Sequence, residues 1–225
     1  MPESSTGDSA PTGLLADKPQ RHGFKRRLFL GLCTLGAVAI AHTWYSGSHV
    51  DNHAVTISRL ESGPVTQIIS WDGDHTAVQL SQLSELPADD LWHVVTDQGR
   101  FDEFMPYVTS TTVSDGPDGT FIEKQVLELP YASYVVELGI SLSEKDNVRT
   151  ARWEQRKGTL LCNQGAWVVE SHGDRSVLRY QVAAHLSGVP QWASNYAMTR
   201  RLGRLLDAVE KRVRDLRQSE PGYFE

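Results

Sequence analysis

Residues 190–216, PQWASNYAMTRRLGRLLDAVEKRVRDL, decide the architecture. Trp192, Tyr196, Thr199, Leu202, Leu206, Val209, Val213 and Leu216 follow one another at steps of four, three, three, four, three, four and three, the spacing that lines one face of an α-helix. Pro190 suits the first turn, where a missing N–H goes unneeded. The other face carries Arg200, Arg201, Arg204, Lys211, Arg212, Arg214 and Arg217 against Asp207, Glu210 and Asp215, so it meets water or an acidic surface. One long helix whose apolar face begins with aromatic rings needs a broad apolar partner.

The residues before it supply one. Tyr134, Val136, Leu138, Ile140 and Leu142 alternate with Val135, Glu137, Gly139 and Ser141, and Leu178, Tyr180, Val182, Ala184 and Leu186 alternate with Arg179, Gln181 and His185. A period of two with one wet face marks antiparallel strands. Strands are expected over 108–113, 120–129, 133–142, 148–156, 165–170 and 177–186, with turn residues at Ser114–Gly119, Glu144–Asn147 and Ser171–Arg175. The register of 120–129 stays open, because Phe121 and Ile122 argue for opposite faces.

Upstream, residues 76–86 suggest a strand with a bulge. Two short helical stretches follow: Leu91–Thr96, opened by Pro87-Ala88-Asp89-Asp90, and Arg100–Pro106. Residues 54–60 and 65–71 flank Glu61-Ser62-Gly63-Pro64 as an opening hairpin over 54–75. The fold class is α+β with a helix-grip plan, a curved antiparallel β-sheet wrapped around a long C-terminal helix over 76–217, and 218–225 as a tail.

Residues 1–24 are rich in Ser, Thr, Gly, Pro and charge and are expected to be disordered in the cytoplasm. Lys25-Arg26-Arg27 then precedes a charge-free run, Leu28–Ala41, so 25–45 reads as a transmembrane anchor or a signal peptide. Ala39-Ile40-Ala41 has the form of a cleavage site, and Arg26-Arg27-Leu28-Phe29-Leu30 is similar to a twin-arginine export signal. Trp44 and Tyr45 instead suit the aromatic belt of a retained helix. All Lys and Arg of this region precede the run and the next is Arg59, which keeps the N-terminus cytoplasmic and puts the domain in the periplasm or outside. The expected location is the inner membrane, single-pass through residues 28–45; the alternative is secretion to the periplasm after cleavage near Ala41. Residues 46–53 form a polar linker whose His49 and His53 read as solvated rather than as metal ligands.

Charge excludes one class of partner. The first 41 residues hold five Lys/Arg and three acids, which leaves 17 bases against 25 acids in the rest, the reverse of a nucleic-acid binder. Two cysteines, Cys33 in the apolar run and Cys162, offer no disulfide framework. No phosphate-cradling glycine loop, paired Cys motif, HExxH or GxSxG occurs, so no catalytic residue, metal or cofactor is assigned, and no protein partner is indicated. Glu137, Glu154 and Glu170 fall on the outer face of their strands.

Ala88-Asp89-Asp90-Leu91-Trp92, Asp97, Phe101-Asp102-Glu103-Phe104-Met105-Pro106-Tyr107-Val108 and Val113, followed by Arg152-Trp153, Gly158, Gly165-Ala166-Trp167 and the closing helix, resemble the polyketide cyclase/dehydrase-like and START-like domains of the SRPBCC superfamily. The resemblance covers residues 76–216 and is strongest to the branch with coenzyme-Q-binding START-like proteins. It implies the helix-grip fold and a cleft between sheet and helix.

Aromatic rings with polar tips on the inward faces are what an amphipathic ligand meets in such a cleft. Met105, Tyr134, Val136, Trp153, Trp167, Tyr180, Trp192 and Tyr196 are the expected ligand-binding residues. The first functional reading is a non-enzymatic domain holding a lipid, isoprenoid quinone or similar hydrophobic small molecule. The alternatives are a cyclase or dehydratase, which requires an acid–base group facing the cavity, and a membrane-tethered interaction domain with a filled interior.

Overall fold

The computed structural model describes residues 38–46, 48–51, 53–71, 75–129 and 132–225. The chain divides into two compact units, 1–40 and 41–225. The basic residues and most of the apolar run expected to anchor or export the protein lie outside the described residues. In the first unit residues 38–40 are helical and in the second residues 41–46 are; no described helix is long and apolar enough to cross a membrane.

Eight strands, β1 (Val65–Trp71), β2 (His75–Ser84), β3 (Val108–Asp115), β4 (Phe121–Leu129), β5 (Ala132–Lys145), β6 (Val148–Gly158), β7 (Cys162–His172) and β8 (Arg175–His185), form one antiparallel sheet in the order β1-β2-β8-β7-β6-β5-β4-β3. Chain neighbours pair as hairpins everywhere except between β2 and β3, where a helical insert intervenes and β8 takes the vacant place beside β2. Among the described residues two hairpins turn in two residues, Asp146-Asn147 and Gly173-Asp174, with Asp146 at φ +56° and Gly173 at +64°, the left-handed start that matches strand twist. Between β5 and β6 the register slips by one residue, Glu137 opposing Lys157 and Leu138 opposing Gln155, a bulge that bends the sheet.

Helix α1 (Ile57–Leu60) is a single turn. The insert comprises α2 (Ala88–Thr96) and a 3-10 turn (Gln98–Glu103). Pro87 precedes α2, and Asp89 and Asp90 occupy its first turn. Leu91, Val94 and Val95 of α2 share one core with Val169 and Leu178 of the sheet and with Leu206, Val209, Val213 and Leu216 near the C-terminus. Each of these side chains is almost wholly removed from water, worth roughly 1.5–3 kcal/mol apiece.

Several expectations need correction. Residues 54–60 are not a hairpin arm: Thr56 caps the turn of α1, its hydroxyl accepting from Arg59 N–H, and the hairpin that forms is β1–β2. β2 carries no bulge, its register running unbroken from Val65–Ser81 to Trp71–His75. Its imperfect alternation arises because both faces are covered, Val78 and Leu80 on the inner one and Ala77, with Trp71, Ala166 and Ala183, in a second cluster.

The long C-terminal helix is two helices, α3 (Gln191–Arg201) and α4 (Gly203–Ser219). At the break Leu205 N–H bonds to Leu202 O, three residues back, beside Gly203. The basic face of α4 is partly neutralised by the insert: Arg217 pairs with Asp90 and Arg212 with Glu103. The tail is also ordered. Pro221–Phe224 forms a 3-10 turn whose Tyr223 hydroxyl donates to Asp97 at 2.6 Å, while Tyr223 and Phe224 pack edge-on against His93.

Candidate functional site

The curved sheet and the two C-terminal helices leave a cavity of about 260 Å³ between them. Its walls come from the insert, from β4 to β8 and from both C-terminal helices. The insert supplies Gln98, Phe101, Met105 and Pro106, β4 supplies Glu123, Gln125 and Leu127, and β5 supplies Tyr134, Leu138 and Ile140. Trp153, Asn163, Trp167, Tyr180 and Val182 come from β6, β7 and β8, and Ser194, Met198, Arg201, Leu202 and Leu205 form a roof from α3 and α4.

The aromatic wall is built around one glycine. Gly165 on β7 lies directly opposite Trp153 on β6, and a Cβ there would strike the indole and the backbone carbonyl of Gln181. Its absence lets the indole lie flat across the sheet. Trp153 then stacks on Tyr180 with ring centres 5.4 Å apart, and Tyr180 tilts against Trp167 at 4.5 Å. Trp153 Nε1 donates to Asn163 Oδ1 at 3.1 Å, so the wall's polar atoms are partly used within the protein.

A polar patch stands opposite. Glu123 is 1% exposed, and its Oε1 accepts from Gln125 Nε2 at 2.6 Å and lies 3.1 Å from Thr111 Oγ1, which also reaches the Gln98 carbonyl at 3.1 Å. Burial among apolar side chains pushes the carboxyl up to about 7, against the opposing pull of the Gln125 and Thr111 hydrogen bonds. Burial, and secondarily the charge of Glu123, also raises the Tyr180 phenol. In the roof, the Ser194 hydroxyl is buried and has no hydrogen-bond partner among the described residues. Among the described residues no group of His, Cys, Asp and Glu is placed to hold a metal ion.

Of the residues expected to bind ligand, Met105, Tyr134, Trp153, Trp167 and Tyr180 line this cavity, and Val136 lies in the packed core, 0% exposed. Trp192 and Tyr196 are absent from the lining. α3 turns Ser194 and Asn195 inward instead, because the Asn195 amide finds Thr76 Oγ1 at 2.9 Å and Gln191 at 2.9 Å, while Tyr196 lies under the Arg200 guanidinium. A stripe chosen by side-chain size mistook which face a satisfied amide would bury.

Glu123 is the group sequence reasoning missed. The readable signal was on the other face of β4, where Lys124 and Glu128 leave Phe121, Glu123, Gln125, Leu127 and Leu129 as the less charged side. Glu137 and Glu170 do point outward, paired with Lys124 and Arg179.

No curated protein matches the sequence. Among solved structures, a STAR-related lipid transfer protein from Xanthomonas axonopodis is 16% identical, with TM-score 0.59 over 74% of this chain and 98% of its own. Human StAR-related lipid transfer protein 5 is 13% identical, TM-score 0.61, over 83% of this chain and 98% of its own. The Zhui aromatase/cyclase from Streptomyces sp. R1128 is 16% identical, TM-score 0.50, over 65% of this chain and 97% of its own. These likenesses establish the START-like fold. A family model described as polyketide cyclase / dehydrase and lipid transport matches residues 84–210, from the end of β2 well into α4 and across every wall of the cavity, and the chain belongs to that family.

Proposed function

We propose that this START-like domain binds a hydrophobic small molecule, without chemistry, in the cavity between the sheet and α3–α4. The observation that carries the reading is the lining itself: Trp153, Trp167, Tyr180, Leu138, Ile140 and Leu202 present hydrocarbon and ring faces to one cavity. At about 260 Å³ the space is at the small end of ligand sites, roughly 300–1,000 Å³. It suits one alkyl or isoprenoid chain or a compact ring system rather than a two-chain phospholipid. Burying about ten methylenes contributes on the order of 8 kcal/mol, near-micromolar affinity before the cost of immobilisation.

The sequence of residues 25–45 supports an export or anchoring role, with the N-terminus cytoplasmic and the domain periplasmic, held at the inner membrane or released after cleavage near Ala41.

Native mass spectrometry with organic extraction, on protein from membranes and from periplasm, tests both points. A co-purifying lipid or quinone near one-to-one supports the binding reading, and the intact mass reports whether residues 1–41 remain. Protein that is empty and takes up no added hydrophobe overturns it.

One observation favours a second reading, an acid–base enzyme of the cyclase or dehydratase kind. Glu123 is a cavity carboxyl brought to about 7, the range a general acid or base needs. Turnover of an aromatic or polyketide-like substrate that is lost in Glu123→Gln, with binding retained, distinguishes it.

A further inference from the structure

Glu123 is set among hydrocarbon, yet its hydrogen bonds satisfy only half of it. Oε1 meets Gln125 Nε2 and Thr111 Oγ1, while Oε2 has no protein partner among the described residues. The Thr111 hydroxyl has one proton and two oxygens at 3.1 Å, the Gln98 carbonyl and Glu123 Oε1. If that proton goes to the Gln98 carbonyl, a neutral carboxyl donates from Oε1 to Thr111 and Oε2 is an acceptor. If it goes to Glu123, Oε1 accepts twice and Oε2 carries the acid proton. Both arrangements leave Oε2 the one carboxyl atom with capacity to spare, in a residue that lines the cavity.

We propose that Glu123 selects the ligand's head: an uncharged hydroxyl-bearing amphiphile seats its hydroxyl on Oε2, with its hydrocarbon body along Trp153 and Tyr180 and under Leu202. This rests on the hydrophobic-ligand reading of the same cavity. A hydroxyl both donates and accepts, so it fits either proton arrangement. A carboxylate brings a charge that this lining cannot solvate. Among the described residues the other titratable groups lining the space are Tyr107, Tyr134 and Tyr180, and the one cation in the lining is Arg201, an exposed side chain of the roof. Arg201 defines the rival orientation, an acidic head turned outward.

Displacement of the neutral fluorescent hydrophobe N-phenylnaphthylamine from the whole protein by decanol, decyl chloride and decanoate separates these cases. At pH 6 decanol is expected to displace the dye about tenfold better than decyl chloride, the worth of one well-made buried hydrogen bond, and decanoate worst. Glu123→Leu removes the alcohol's advantage while dye uptake persists. Glu123→Gln, isosteric and uncharged, keeps the advantage at pH 6 and at pH 8.5. Wild-type affinity for both neutral chains falls several-fold above about pH 7, where a carboxylate must be dehydrated.

An alcohol preference that survives Glu123→Leu overturns the inference alone. Decanoate bound as tightly as decanol, and lost in Arg201→Ala, also overturns it. Failure of the dye to bind wild-type protein at all overturns the hydrophobic-ligand reading and the inference with it.

Discussion

The indole of Trp153 lies across the Cα of Gly165, its partner on the neighbouring strand, so one missing methyl group sets the shape of the cavity's aromatic wall. Gly165→Ala drives Cβ into the ring on one side and the Gln181 carbonyl on the other. Such overpacking costs about 1–3 kcal/mol, and the displaced ring narrows the cavity. A lowered urea midpoint together with a shifted tryptophan emission spectrum is the expected outcome. An unchanged spectrum and midpoint would mean the ring does not lie as described.

Glu123 makes stability depend on pH in a direction opposite to the usual carboxylate. Its folded value, about 7, is above its ordinary 4.5, so its contribution is fully present below about pH 4.5 and is lost as pH rises through 7. The full swing is about 3 kcal/mol. Glu103 and Glu220, both held below the usual carboxylate range chiefly by hydrogen bonds from Arg100, act only at the acid end and with the opposite sign. Urea unfolding at pH 5 and pH 8 is expected to show wild type weaker at the higher pH. Glu123→Gln flattens that difference and is the more stable protein at pH 8 by about 2 kcal/mol. A wild-type protein equally stable at both would contradict the burial of an ionisable group there.

Gly203 begins α4 in ordinary helical geometry, and a Cβ added to it meets nothing within 4 Å. Gly203→Ala therefore stabilises by about 0.4–1 kcal/mol, through the unfolded chain's lost freedom. Destabilisation instead would show that the tightened turn at Leu202 depends on the glycine.

The Tyr223 hydroxyl ties the C-terminal turn to Asp97, and Arg100 holds Glu220 beside it at 2.9 Å. Tyr223→Phe removes one bond and costs about 1 kcal/mol. Amide exchange in α2 is expected to quicken about fivefold, since the lost bond is to Asp97 at the C-terminal cap of that helix. No change in α2 exchange would mean the turn adds nothing to the insert.

Leu202 and Tyr196 separate the lining from the rest of the roof. Leu202→Trp fills the cavity and weakens uptake of a neutral dye by about tenfold or more, whereas Tyr196→Ala leaves it within about twofold. The reverse pattern would put the ligand on the other face of α3.

Where one periodicity faced one environment, the fold was legible. β5 alternates from Tyr134 to Ile140 because one face is drier than the other, and Leu206, Val209, Val213 and Leu216 are buried as their spacing requires. Legibility failed where polar groups satisfied one another out of sequence. Asn195 is buried by Thr76, far away in the chain, and Glu123 by Thr111 and Gln125. A side chain's cost of burial depends on partners that only the folded chain assembles. The same holds for β2, whose apolar residues face two ways because a second cluster forms on Trp71 and Ala77.

The break at Leu202 divides the labour of the C-terminal residues. α4 buries Leu205, Leu206, Val209, Glu210, Val213 and Leu216 and is clamped by Arg212 and Arg217, whereas the buried residues of α3 are Ser194 and Asn195. The roof thus sits low on the ladder of local opening energies and the clamp sits high. How readily the cavity opens and how hot the domain must become to melt are then set by different stretches of chain, so selection is free to tune access without trading away heat tolerance.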